Sequence, residues 1–396
     1  VAYQPTHAET APPAAGTYRI KKGATTLYET PISNEVLYIW NNPKPKMVIA
    51  IDNAPAGNDV YTFTINIAQA GSGTASVHVQ AIVIKADDAV FAANTSTVSV
   101  ASGATSTVLS SSTSYPSGSK VAVIATVAIS SATGPPGTLI SAGNVRLKLG
   151  ATVVSSNQFT NGGTTWQSAQ YPTNQHLSYF TTLTTATQTW SIEVYNNSAN
   201  TAVAYAIIAS FLVNDGAFLD TASVSLSNGV QVTVGNLATS LTGDVVAIGL
   251  AAAENTGTTQ VTAFNANDVA FQLNNSTVGQ ITNGLARVLT PNNDHSRAGV
   301  LPLFRIDTNV TSPSYQIKMT ARANGINGEA KILAFVIGFA INKVFGETVR
   351  ESEGSIFGRS RFRISAESVN LSELGRVVRN LVRIPLEAVN LVESVV

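Results

Sequence analysis

Two stretches of this sequence recur at one constant displacement. Val121-Ala-Val-Ile-Ala-Thr-Val127 returns as Val245-Val-Ala-Ile-Gly-Leu-Ala251, and Asn144-Val-Arg-Leu-Lys-Leu149 returns as Asp268-Val-Ala-Phe-Gln-Leu273, both 124 residues on. A shared offset over separate segments marks a duplicated unit, so the chain reads as an array rather than as one large domain. Arg19-Ile-Lys-Lys-Gly-Ala-Thr25 matches Arg146-Leu-Lys-Leu-Gly-Ala-Thr152 at five of seven positions, and this sets the phase. The expected units are 18–144, 145–268 and 269–396, each of roughly 125 residues, behind an extended Pro-rich leader at 1–17.

Each unit alternates with period two. Tyr61, Phe63, Ile65 and Ile67 lead to a Gly-Ser-Gly turn and return through Val77, Val79 and Val83. Trp190, Ile192 and Val194 lead to Asn196-Asn197-Ser198, and Tyr315, Ile317 and Met319 lead to Asn324-Gly325. Alternation around turn residues is the pattern of hairpins with one buried face. The fold class is therefore all-β, with tandem β-sandwiches of jelly-roll or immunoglobulin-like topology. The longest apolar runs, 202–213 and 332–341, are too short for membrane helices and read as buried strands.

After Phe345 the third unit departs from the others. Arg363-Ile-Ser-Ala-Glu-Ser-Val-Asn-Leu-Ser-Glu373 and Arg383-Ile-Pro-Leu-Glu-Ala-Val-Asn-Leu-Val-Glu393 agree at seven of eleven positions. This second, shorter repeat either completes unit three or packs on a neighbouring subunit. Completion is the favoured expectation, since an open sandwich leaves sheet edges bare.

Chemistry is sparse. The sequence has no cysteine, four histidines without metal-ligand spacing, and none of the HExxH, GxSxG or GxxxxGK[ST] motifs. It reads as a non-enzyme. Equal numbers of acidic and basic residues, 23 of each, supply no surplus to neutralise phosphates, so no nucleic-acid partner is expected. Calcium is the one ion for which ligands cluster, around Asp52 and Asp59, around Asn267 and Asp268, and at Asp307; hydrogen-bonded turns are the plainer account of the same residues. No other cofactor is expected. Sequons at Asn94, Asn196, Asn274 and Asn309 permit glycans, with Asn196 in its hairpin turn expected to be the best-exposed acceptor.

In its composition and its Glu367-Ser-Val-Asn-Leu-Ser-Glu373 tail, the chain resembles secreted β-sandwich surface and filament proteins of thermophilic archaea. That resemblance implies a structural subunit of an extracellular filament or surface layer, partnered with copies of itself. Strand exchange or arm contacts between sandwich domains would make the joint. A viral capsid or spike protein is the alternative, which would put the chain in a virion instead of at a cell surface. A carbohydrate-binding adhesion module is a third reading, resting on Trp166 and Tyr171 in one loop.

Overall fold

The structure is a computed structural model that describes residues 2–5, 15–31, 47–54, 59–68, 74–85, 88–131, 142–162, 173–197, 200–220, 224–226, 230–255, 269–274, 276–280, 295–296, 301–320, 330–340, 343–355 and 360–365. Among the described residues there is no helix, and none of their segments is a helix long and apolar enough to cross a membrane. The first five strands are β1 (Ala2–Pro5), β2 (Ala15–Lys22), β3 (Thr25–Pro31), β4 (Val60–Ala68) and β5 (Thr74–Lys85). Nine follow: β6 (Ala89–Ala93), β7 (Val98–Val100), β8 (Thr105–Ser114), β9 (Lys120–Ser131), β10 (Ala142–Leu149), β11 (Thr152–Gly162), β12 (Thr173–Thr182), β13 (Thr187–Asn196) and β14 (Ala202–Leu212). Then come β15 (Asp215–Asp220), β16 (Val224–Leu226), β17 (Gln231–Ala238), β18 (Thr242–Asn255), β19 (Val269–Leu273), β20 (Ser276–Gln280), β21 (His295–Ser296), β22 (Leu301–Thr311), β23 (Ser314–Thr320) and β24 (Ala330–Ala340). The last two are β25 (Lys343–Ser355) and β26 (Ser360–Ser365).

Strand pairing within 89–212 follows one rule. Counting β6 and β7 as one interrupted strand, the first pairs with the last (β14), β8 with β13, β9 with β12, and β10 with β11. This is a long hairpin rolled into two facing sheets, β8-β13-β10-β11 and β6-β14-β9-β12. It is the order of an eight-stranded jelly roll, which removes the immunoglobulin-like option. Residues 215–340 repeat it: β15 and β16 pair with β24, β17 with β23, β18 with β22, and β19 with β20. The short β21 lies outside this scheme and extends the first roll by pairing with the end of β11.

The rolls are therefore out of phase with the units expected from sequence. The boundary at 144/145 falls inside β10, and strands on either side of it share one sheet. The reason is physical: similarity reports a period but no starting point, whereas a roll closes only when its first strand meets its last. The described residues after 340 pair outside the roll at 215–340, while 366–396, with nearly all of the shorter C-terminal repeat, lie outside the described residues. The roll at 215–340 already has its eight strand places filled, and β25 and β26 pair with β5 and β4. With β2 paired to both β3 and β4, these strands follow the same roll order in two further sheets built from segments far apart in the chain. By its neighbours, β25 holds the place of a first strand and β26 that of a second. Of the leader, the described strand β1 lies along the other edge of β5, where the continuous rolls carry their third strand.

Alternation along β9 explains why its sequence runs apolar without a break. Val121, Val123, Ala125, Val127 and Ile129 face the interior of their own roll with Trp190, Ile192 and Val194. Ala122 and Ile124 point the other way, into a second core. In β18, Val245, Ala247 and Ala251 fill the roll at 215–340, while Val246, Ile248 and Leu250 enter the same second core. A strand covered on both faces has no polar side to alternate with. Met47 and Ile49 from the segment before β4, Phe180 of β12, and Phe304 with Ile306 of β22 also enter this shared core. Residues of all three rolls thus pack on one apolar centre.

Candidate functional site

The polar residues singled out from the sequence are mostly engaged with other protein groups. In the split roll, Lys22 closes the end of β2 directly opposite Tyr61 of β4. Its Nζ lies 2.9 Å from Asp52 Oδ2 and 2.9 Å from Asp59 Oδ2, and it donates to the Ala54 carbonyl at 2.6 Å. Tyr61 donates its hydroxyl to Asp52 Oδ2 at 2.8 Å. Hydrogen bonds to Asp59 and then Asp52 hold the Lys22 ammonium well above its usual range. Burial pushes the Asp52 carboxyl up, but Lys22 and Tyr61 together outweigh burial and leave it below the ordinary carboxylate range. Burial first, and then the bond to Asp52, push Tyr61 up to about 12. Two of the calcium candidates thus already share an internal cation.

The roll at 215–340 has the same clasp with different parts. Tyr315 of β23, opposite Leu273 at the end of β19, donates to Asp307 Oδ2 at 3.1 Å. Arg305 supplies the cation, its Nε 2.5 Å from Asp307 Oδ1. Asp307 is 4% exposed and Tyr315 fully buried, and burial, reinforced by the Asp307 charge, drives the phenol's pKa far upward. In the roll at 89–212 the equivalent place, opposite Leu149, is taken by Trp190, whose indole Nε1 has no hydrogen-bond partner among the described residues. Sequence reasoning found the carboxylates and missed Lys22, Tyr61, Arg305 and Tyr315, whose signal was a tyrosine eight or nine residues after an aspartate in two of the three units. The remaining calcium candidates, Asn267 and Asp268, lie outside the described residues. Among the described residues no three His, Asp or Glu side chains are grouped as a metal site.

The sequons divide in two. Asn196 is fully buried and spends its Nδ2 on the carbonyls of Val100, Ala101 and Asn200, at 3.0, 3.3 and 2.7 Å, so it is not the exposed acceptor expected. A hairpin-end asparagine there ties down three orphan carbonyls of the neighbouring loops. Asn94 is used similarly: its Nδ2 donates to Val108 O at 2.8 Å and its Oδ1 accepts from Ala206 N at 2.7 Å, tying β8 to β14 across the sandwich. Asn274, in the turn after β19, and Asn309, within β22, are exposed with φ of 48° and 53°, and the Asn274 Oδ1 accepts from Ser314 N at 2.9 Å. His176 lies in β12 and is fully buried. Trp166 and Tyr171 lie outside the described residues.

Contacts between rolls are the most developed feature outside the cores. Tyr28 of the split roll hydrogen-bonds the Tyr205 hydroxyl at 2.7 Å and meets the Phe91 ring edge-on at 5.8 Å. Between the continuous rolls, Lys120 Nζ lies 2.9 Å from Asp215 Oδ1, and the Tyr179 and Phe218 rings meet edge-on at 5.2 Å. Lys120 holds the Asp215 carboxyl below its ordinary range. Gly216 sits directly against the Phe180 ring, where any Cβ would overlap ring carbons.

No family model matches this chain, and no curated protein matches it. Among solved structures, a peptide-N(4)-(N-acetyl-β-D-glucosaminyl)asparagine amidase matches with 14% identity and a TM-score of 0.31, covering 66% of this chain and 99% of its own. The major capsid protein P2 of bacteriophage PM2 matches with 13% identity and a TM-score of 0.25, covering 65% and 100%. The STIV MCP matches with 9% identity and a TM-score of 0.25, covering 64% and 97%. At these scores the matches separate neither an amidase from a capsid protein nor either from this chain's own function.

Proposed function

We propose that this chain is a structural subunit of an extracellular filament or surface layer, whose copies are joined by strand pairing between sandwich domains. The observation that supports it is the split roll. The sheets of this roll join members from distant parts of the sequence through backbone ladders, and an added strand is a general means of linking polypeptides. The shared apolar core supports the reading too, because it makes three rolls one rigid block fit to bear load. The internal clasps around Asp52 and Asp307 fit a role in which polar side chains lock the block instead of holding a ligand.

A virion shell is the second reading. It is favoured by the jelly-roll order itself, a topology common in capsid domains, and by the side-by-side packing of whole rolls. Electron microscopy of purified native material distinguishes the two: open-ended fibres or sheets are expected, closed shells would transfer the chain to the capsid reading, and monodisperse single chains at every concentration would overturn both.

A further inference from the structure

The continuous rolls and the split roll differ in one respect that concerns assembly. Between Lys85, where β5 ends, and Lys343, where β25 begins, the chain builds two whole rolls. The first and second strands of the split roll then arrive as β25 and β26. The β5–β25 ladder has eleven registered pairs, from Lys85 opposite Lys343 to Thr74 opposite Ser355, and β4–β26 adds six, from Ile65 opposite Ser360 to Val60 opposite Ser365. No covalent link near this sheet ties the two partners together. Any second copy offers an identical β25 and β26 in an identical register.

We propose that β25 and β26 of one copy complete the split roll of a second copy, linking copies head to tail, and that the self-closed chain is the capped, unassembled form. This rests on the structural-subunit reading above and gives that joint its partner and direction: the C-terminal pair donates, and β4 with β5 receives. β24 ends at Ala340 and β25 begins at Lys343, so the donated pair follows directly on a completed roll. Contacts are the same in the closed and linked forms, so their balance is set by protein concentration against the effective concentration of the tethered pair. A donor at one end and an acceptor at the other make a heterologous contact, which grows without limit unless its rotation closes a ring.

The absence of cysteine from the sequence makes the test direct. Gln80 of β5 and Val349 of β25 are register partners. Gln80→Cys and Val349→Cys are made in separate full-length chains, mixed unfolded, refolded together at high concentration, imaged by electron microscopy, oxidised and run on non-reducing denaturing gels. Covalent dimers from the mixture, and a ladder of covalent multimers from the double variant, are expected. Assembled material in which the mixture stays monomeric and the double variant yields only an internally bridged single chain overturns the exchange and leaves the structural reading standing. Assembled material with no bridge of either kind also overturns it, because the register itself then fails. No assembled material at any concentration removes the structural reading together with the exchange.

Discussion

The roll at 89–212 and the split roll share a strand order and differ in how the chain supplies it. In the first, strands one and eight are joined through every intervening strand of the same unit, so closing the roll requires nothing from elsewhere. In the second, strands four, five, seven and eight come from the beginning of the chain and strands one and two from beyond Asn342. Identical sheets can therefore be a sealed domain or a joint, and the distinction lies in connectivity rather than in packing. The registers agree: Trp190, Ile192 and Val194 in the sealed roll correspond to Tyr61, Phe63 and Ile65 of β4 by strand place.

The largest test of that contrast is deletion of everything after Asn342. The split roll then lacks two strands, and we expect assembly to be lost while residues 89–340 keep protease-resistant structure; equal protease sensitivity of all three rolls would erase the contrast. Next comes Ile248→Ala in the shared core. Truncating a buried isoleucine costs about 2–5 kcal/mol, and because this core joins the rolls, urea unfolding should split into separate transitions instead of shifting as one. Breaking the Arg305–Asp307 clasp by Arg305→Met should destabilise the roll at 215–340 by roughly 1–3 kcal/mol, less than a fully buried pair because Arg305 keeps some exposure. The roll at 89–212, whose matching place holds Trp190 instead of a tyrosine–aspartate clasp, should be untouched, as hydrogen exchange would report.

Acid should act on the split roll through Asp52. Its folded carboxyl lies below the unfolded value of ~3.9, so it contributes stability that is present above that value and lost as pH falls through the folded one. Lys22, raised in the folded state, contributes below its unfolded value of ~10.4 and loses that contribution as pH climbs toward its higher folded one. The roll's stability should accordingly be flat between these limits, and Asp52→Asn should remove the acid limb in pH-dependent denaturant melts. The smallest expected effect concerns glycans. In a host that modifies sequons, mass spectrometry should find sugar on Asn274 and Asn309 and none on Asn94 or Asn196, whose amide nitrogens are committed inside the fold.

The period-two hairpins were legible because each buried face is written locally: Trp190, Ile192 and Val194 alternate in sequence and are all fully buried. Phase was not legible, since Val121–Val127 and Val245–Ala251 repeat wherever the unit is taken to start. The shared core was visible only as unbroken apolar runs, which say that both faces are covered without naming what covers them. Asp52 and Asp307 looked like ion ligands because carboxylates stand out in a chain that is 12% charged. Their partners Lys22 and Arg305 reach them only after the strands pair.

Synthesis gives the split roll a history that the sealed ones lack. A ribosome adds about 5–20 residues per second, so on the order of ten to fifty seconds separate the emergence of β5 from that of β25. During that interval the first half of the sheet is exposed, with its edge unoccupied, while two complete rolls can form behind it. Each new chain thus holds β4 and β5 ready before its own β25 and β26 exist, which is the interval in which the proposed exchange between copies would have its advantage.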